Sequence, residues 1–304
     1  MAMNTTLPPA RIWTAHLICV LAMVTWSSGL PANTFLMPTL HPMALAAARM
    51  ILAAAVLMPF WLWLDGWKAL RNANWKMGIA VGSFVGLGSL LVMAGLSLTD
   101  AVTVAVISAA LPVIGVVIEI VLDGRKITLP LVLGFGLALC GGVVALGTGI
   151  RGISFGFGAL LCVLSTFFHT LGSRWTITAL PGLSSLGQTT ITLVGGAVAL
   201  SIVFLATVPF GIAQGPNMAA MGGREWAALL IFVMGSLTLS QIFWVIGVRR
   251  LGIAMAALHI NATPFYVMLM AVMLGGAWNW WQAAGAALVG LGVMVAQRLP
   301  KKAA

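Results

Sequence analysis

Charge is what this sequence has least of: Asp, Glu, Lys and Arg make up 7% of its 304 residues, where a soluble domain carries about a quarter. With 61% hydrophobic residues and a mean hydropathy of +1.10, there is far more apolar surface than a soluble core needs. The three cysteines, Cys19, Cys140 and Cys162, all fall inside apolar runs, which excludes a disulfide framework or a spaced metal site. The formal charge of +10 does not mark a nucleic-acid binder, because a phosphate-binding face needs clustered basic residues. Here they stand singly or in twos and threes between apolar runs. A Walker sequence, a carbonyl selectivity filter, a charged ring and an appended sensor domain are all missing, so neither an ATP-driven pump nor a channel is indicated. His16, His41, His169 and His259 are not in ligand-spaced pairs, and Asp100 and Asp123 fall at opposite membrane faces. An intramembrane enzyme is therefore disfavoured, and no cofactor is expected.

What the chain does have is apolar stretches of membrane-spanning length, about 20 residues each. Hydropathy and Pro/Gly breaks predict spans near 12–35, 42–64, 77–97, 101–122, 128–148, 155–175, 183–209, 226–247, 253–275 and 279–298. The first is too long for a signal-peptide core and is read as a retained helix. Alternating the loops puts Arg11, Lys68, Arg71, Lys76, Arg125, Lys126, Arg174, Arg249, Arg250, Arg298, Lys301 and Lys302 on one side, with Arg151 and Arg224 on the other. That bias predicts cytoplasmic termini. Glycine is abundant, 35 residues, as expected where helices pack closely in lipid.

The chain also repeats itself. Gly95 to Pro112 (GLSLTDAVTVAVISAALP) matches Gly247 to Pro264 (GVRRLGIAMAALHINATP) at an offset of 152. Gly134 and Gly141 pair with Gly285 and Gly292, and Cys19-Val20-Leu21 with Gly29 pairs with Cys162-Val163-Leu164 and Gly172. Two units are expected, 1–150 and 151–304. Five crossings are an odd number, so the second unit enters the membrane from the opposite side. The predicted fold is an all-α membrane protein, ten transmembrane helices forming two inverted five-helix repeats around a central cavity. Secondary transporters commonly bind substrate at such a repeat interface.

The sequence resembles the drug/metabolite transporter superfamily in its ten-helix EamA-type branch. Carrying the resemblance are Trp26 to Ser28 in the first span, HPMALAAARM with Arg49 entering the second, and Pro112 and Pro264 in the fourth and ninth. Asp123-Gly124 and Gly275-Gly276 depart from the Gly-Glu usual after those two helices. The resemblance implies export or exchange of small metabolites, amino acids or drugs across the bacterial inner membrane, and looks closest to the aromatic amino acid exporters. It also implies that spans 1, 3, 4, 6, 8 and 9 line the cavity, with 5 and 10 outside. A small-molecule substrate, the lipid bilayer and a monomeric state are expected.

Polar groups inside a bilayer are costly unless they face the bundle interior, so each is a site candidate. The ninth span carries His259, Asn261, Thr263 and Tyr266 around Pro264, which lacks an N–H and so frees a carbonyl near Ile260. Its repeat mate Pro112 follows Ser108 by four residues. His169 lies in the sixth span; Gln241 and Trp244 share a face of the eighth; Trp26, Ser27 and Asn33 belong to the first. These ten residues, without Thr263 and the prolines, are the proposed substrate-binding set: an aromatic wall with amide and hydroxyl groups suits a zwitterion with an apolar side chain. Trp61, Trp63, Trp278, Trp280 and Trp281 read as interfacial belt. Pro112 and Pro264 serve as hinges or merely as kinks. Arg49 holds an outer gate through helix-end carbonyls, or attracts a carboxylate. Glu119, the sole acid within a span, looks like a partner for nearby Arg or Lys, which favours facilitated diffusion over obligatory proton antiport; a proton-coupled drug or metabolite antiporter is the alternative.

Overall fold

The computed structural model describes residues 9–36, 38–98, 111–124, 126–145, 156–273, 278 and 280–296, and every regular element among them is helical. The first span is broken at Ser28 into α1 (Pro9–Ser27) and α2 (Gly29–Leu36). The second is one long helix, α3 (Pro42–Asn72), begun by Pro42 at its first position and by the His41 ring, which accepts the Met43 N–H at 3.3 Å. Gly66, at φ 78°, bends its last turns. α4 (Trp75–Leu98), α5 (Leu111–Asp123), α6 (Leu129–Ala145), α7 (Phe157–Thr178) and α8 (Ser185–Thr207) follow. The eighth span, Gly223–Leu251, comprises α9 (Gly223–Leu230), a π-helical stretch (Ile231–Leu239) and α10 (Ser240–Leu251). The ninth comprises α11 (Ile253–Ala257), a 3-10 stretch (Leu258–Ala262) and α12 (Thr263–Met273), and α13 (Trp280–Ala296) closes the chain's helices.

Among the described residues four helices are long and apolar enough to cross a bilayer, Pro42–Asn72, Trp75–Gly95, Ser185–Phe210 and Gly223–Leu251, with shorter apolar helices beside them. Their outward faces are apolar too: Trp13, Val121, Leu205 and Phe210 are exposed. A multi-pass membrane protein is the solvent environment that suits such a surface.

Small residues set the packing. A methyl at Gly82 of α4 would land on the Thr192 carbonyl and on Gly195 of α8, so these two helices touch backbone to backbone. Two further contacts are crossed with respect to the sequence repeat. Gly95 on α4 lies against Cys162 on α7, and Gly247 on α10 lies against Cys19 on α1. Between the two stretches, α5 meets α11 where Gly115 faces Ala254, α6 meets α13 through Gly134 and Gly292, and α3 meets α8 where Met50 covers Gly196. The largest apolar core joins α2, α3, α8 and the eighth span, with Leu36, Leu45, Met50, Leu193 and Phe232 inside it.

Three sequence expectations need correction. Trp61 is not an interfacial residue: it is fully buried, its ring 5.9 Å from that of Trp75, and Gly187 leaves room for the indole. Glu119 is engaged with a helix end and not only with its own neighbourhood, since its Oε1 accepts the Ala254 N–H of α11 at 3.0 Å. The first N–H groups of a helix lack intrahelical partners and carry partial positive charge, which a carboxylate satisfies. The Ile260 carbonyl that Pro264 frees is taken by the Thr263 N–H as the ninth span tightens into its 3-10 stretch.

Candidate functional site

Arg49 sets the centre of the site. It lies seven residues beyond Pro42 on α3, about 10 Å along the helix axis, within a hydrocarbon layer about 30 Å thick. One terminal nitrogen donates to Ser89 Oγ on α4, a side chain in mid-helix and not a helix-end carbonyl. The guanidinium carbon lies 5.1 Å from the ring centre of Phe232, in the π-helical stretch. Its Nε is buried and has no hydrogen-bond partner among the described residues. A guanidinium stacked on one aromatic face and bonded at one corner still presents donors, and its charge is permanent.

His169 on α7 is close enough to Arg49 for their charges to interact. Its ring stands 6.2 Å from that of Trp244 on α10, tilted by 34°, and it has no hydrogen-bond partner among the described residues. Trp244 is buried and fixed, its Nε1–H donating to Ser173 Oγ at 3.0 Å. One turn before His169, Ser165 donates to the Gly88 carbonyl at 2.6 Å, and Gly88 carries no Cβ to push the His169 backbone away. This lashes α7 to α4. Phe84 closes the aromatic side, its ring 5.4 Å from Phe168 and edge-on to Trp175 at 4.9 Å. The result is a fixed cation, a histidine and several aromatic faces drawn from α3, α4, α7 and the eighth span.

A second polar pair joins α1 to the 3-10 stretch. His16 on α1 and His259 in the 3-10 stretch, 243 residues apart in sequence, bring Nδ1 and Nε2 to 3.0 Å with their rings stacked. Both are buried. His259 Nδ1 lies 3.2 Å from the Met255 and Ala256 carbonyls. Tyr266 packs against the apolar cluster that holds Trp244, Cys19, Met23 and Ala257.

Of the expected substrate residues, His169 and Trp244 meet, and Tyr266 packs against the apolar cluster that holds Trp244. Gln241 is half-buried on the same helix as Trp244, without a hydrogen-bond partner among the described residues. Ser27 is buried and its hydroxyl donates to the Met23 carbonyl of its own helix at 2.7 Å. Trp26 is 41% exposed, and its carbonyl accepts from Ser236 at 3.0 Å. Asn33, Pro112, Asn261 and Pro264 are placed by their backbone on α2, α5, the 3-10 stretch and α12. Ser108 lies outside the described residues. Sequence reasoning missed Ser89, Ser173 and Phe232, and it missed the partnership of His16 with His259. A serine in the Gly-rich α4 was a weak signal; nothing in the sequence joined the two histidines.

A cavity of about 370 Å³ opens elsewhere, among α2, α9 and α12, lined by Ala32, Phe35, Ile231 and Met270 with Arg224 at its rim. Arg224 caps the Phe35 ring at 4.0 Å. None of the expected substrate residues whose side chains are described lines it. Among the described residues no cluster of His, Cys, Asp and Glu is arranged to hold a metal ion.

Comparison with known proteins places this geometry. An uncharacterized transporter of Bacillus subtilis (strain 168), YyaM, is 26% identical over 273 residues, spanning 86% of this chain and 87% of that protein. One crystal structure superposes on 94% of the chain and 96% of its own length with a TM-score of 0.75 at 22% identity, which shows a shared fold. Residues 13–147 match the model of the EamA-like transporter family. The chain is therefore similar to EamA-like transporters over residues 13–147 and to a transporter over most of its length.

Proposed function

We propose that the protein is a secondary exporter of small metabolites, chiefly neutral amino acids with apolar or aromatic side chains, working in the bacterial inner membrane by alternating access. Arg49 carries this reading. A permanently charged side chain inside the membrane is retained only where something uses it, and here its Nε is left without a partner among the described residues, with His169 near enough for their charges to interact. A carboxylate docks on a guanidinium through paired charge-assisted hydrogen bonds. The His169 ring supplies a nitrogen that can accept from an ammonium, and Phe168, Trp244 and Phe232 offer the apolar faces a side chain needs.

The crossed glycine contacts support two inverted units, 1–150 and 151–304, with both termini in the cytoplasm. If the halves are related by a two-fold axis in the membrane plane, the third span must meet the sixth as the eighth meets the first. Gly95 with Cys162, and Gly247 with Cys19, are such a pair. The Pro112 and Pro264 regions then act as hinges, and the 3-10 stretch before Thr263 is a ready point of flexure. A liposome flux panel of aromatic, aliphatic and hydroxyl amino acids, nucleosides and cationic drugs tests the cargo. Flux of aromatic or aliphatic amino acids is expected; failure of every amino acid alongside flux of a drug would overturn it.

A further inference from the structure

We infer that the cavity among α2, α9 and α12 holds an acyl chain of a phospholipid from the surrounding bilayer, and that Arg224 at its mouth holds that lipid's phosphate. The inference rests on the chain being a membrane protein and is independent of its cargo.

The cavity is a slot built by spacing. On α9 and the first residue of its π-helical continuation, Arg224, Ala227, Ala228 and Ile231 stand three, one and three residues apart, so they share one face. That face runs about 10 Å along the axis from the start of the helix. Ala32 and Phe35 of α2 form the facing wall, and Met270 and Met273 of α12 the third side. The three alanines leave the slot open, and the methionines are flexible enough to fit what enters. Ser28 lies at the inner end, where its Oγ approaches Gly235. Its hydroxyl already donates to the Thr25 carbonyl at 2.7 Å. Apart from it and Arg224, the lining is apolar.

The mouth carries the charge. Arg224 is the second residue of the span Gly223–Leu251, so it lies at a membrane face whichever way the chain is oriented. Trp226, 47% exposed, marks the same level, since tryptophan settles among headgroups. The guanidinium lies 4.0 Å over the centre of the Phe35 ring, a stacking that fixes its plane and leaves its N–H edge free. It makes no hydrogen bond or ion pair with any described residue. The neighbouring acid, Glu225, is turned to the Gly222 N–H at 2.9 Å. A free guanidinium edge matches a phosphate through paired charge-assisted hydrogen bonds. A cation at the rim of an apolar slot therefore suits an anionic head with an alkyl tail, and at headgroup depth the bilayer itself supplies one. On the proposed topology Arg224 is one of two basic residues on the outer side, where the positive-inside bias disfavours them. A lipid phosphate accounts for its presence there.

The test titrates the full chain, delipidated in detergent, with palmitoyl-oleoyl phosphatidylglycerol, and counts bound lipid by native mass spectrometry. Wild-type protein should bind one lipid more tightly than the rest. Arg224→Gln should weaken that site at least about tenfold, and Arg224→Lys, which keeps the charge without the fork, should fall between. Ala227→Phe fills the slot from an exposed position and should abolish the site. Arg250→Gln, at the opposite end of the same span, should leave it unchanged. Equal binding by wild type, R224Q and A227F would overturn the inference. If myristate takes the site and the phospholipid does not, the occupant is a free fatty acid and the assignment falls. If L-phenylalanine displaces the lipid, the slot belongs to the cargo path and the assignment falls likewise. A protein that binds the lipid and carries no phenylalanine refutes the cargo reading alone.

Discussion

At the residue scale the decisive side chain is Arg49, because its permanent charge limits what can sit opposite it. Arg49→Gln keeps hydrogen bonding but removes the charge, and a charge-assisted hydrogen bond contributes about 1.5–3 kcal/mol. Uptake of an amino acid into proteoliposomes should fall at least about tenfold, and Arg49→Lys should fall between, since a lysine keeps the charge without the fork. The matching control is chemical. An amino acid amide, lacking the carboxylate, should lose its dependence on Arg49 in competition assays; equal sensitivity of acid and amide to R49Q would remove Arg49 from the binding site. The sequence made Arg49 visible as a lone intramembrane charge, but its neighbours could not be read there. Ser89 and Phe232 come from helices 40 and about 180 residues further on, chosen by packing and not by any local pattern. The same holds for the buried histidine pair, whose members are 243 residues apart.

At the scale of the element, the ninth span shows how a helix is started by a neighbour. Gly252, at φ 80°, turns the chain out of α10, and Glu119 of α5 then accepts the Ala254 N–H. Replacing Glu119 by Gln keeps an acceptor there and should lower the detergent melting midpoint only slightly. Replacing it by Leu strands a buried N–H, at a cost of about 1–3 kcal/mol, and should lower the midpoint clearly further, followed by tryptophan fluorescence. Equal midpoints for the two variants would show that the cap does not hold the span in place. Helix existence was easy to read from sequence, because apolar runs of membrane length leave few alternatives. Breaks inside helices were not. The interruption at Ser28, the π-helical stretch Ile231–Leu239 and the 3-10 stretch Leu258–Ala262 depend on which carbonyls find donors in the packed bundle. Trp61 was misread for the same reason: a tryptophan near a helix end is interfacial or buried according to whether a glycine such as Gly187 faces it.

At the scale of the whole molecule, the two crossed glycine contacts carry a consequence for movement. When an inverted-repeat carrier turns over, each half takes up the shape its partner had, so symmetry-related contacts exchange geometries. Contacts already alike in both halves are the same afterwards. Cys19 with Gly247 and Cys162 with Gly95 are alike, so on the proposed inverted-repeat cycle they should be standing joints that stay closed throughout. Gly247→Cys should therefore form a disulfide with native Cys19 under mild oxidation and leave flux within about threefold of the reduced protein. Loss of transport that reductant restores would make this joint a moving part. Contacts without a counterpart behave oppositely. The repeat places Ala159 opposite His16 and Ile107 opposite His259, so the mirrored position has no counterpart of the histidine pair. A machine with equal halves runs equally well in both directions. On the proposed cycle, a histidine pair present in one half only would give this one a preferred resting side.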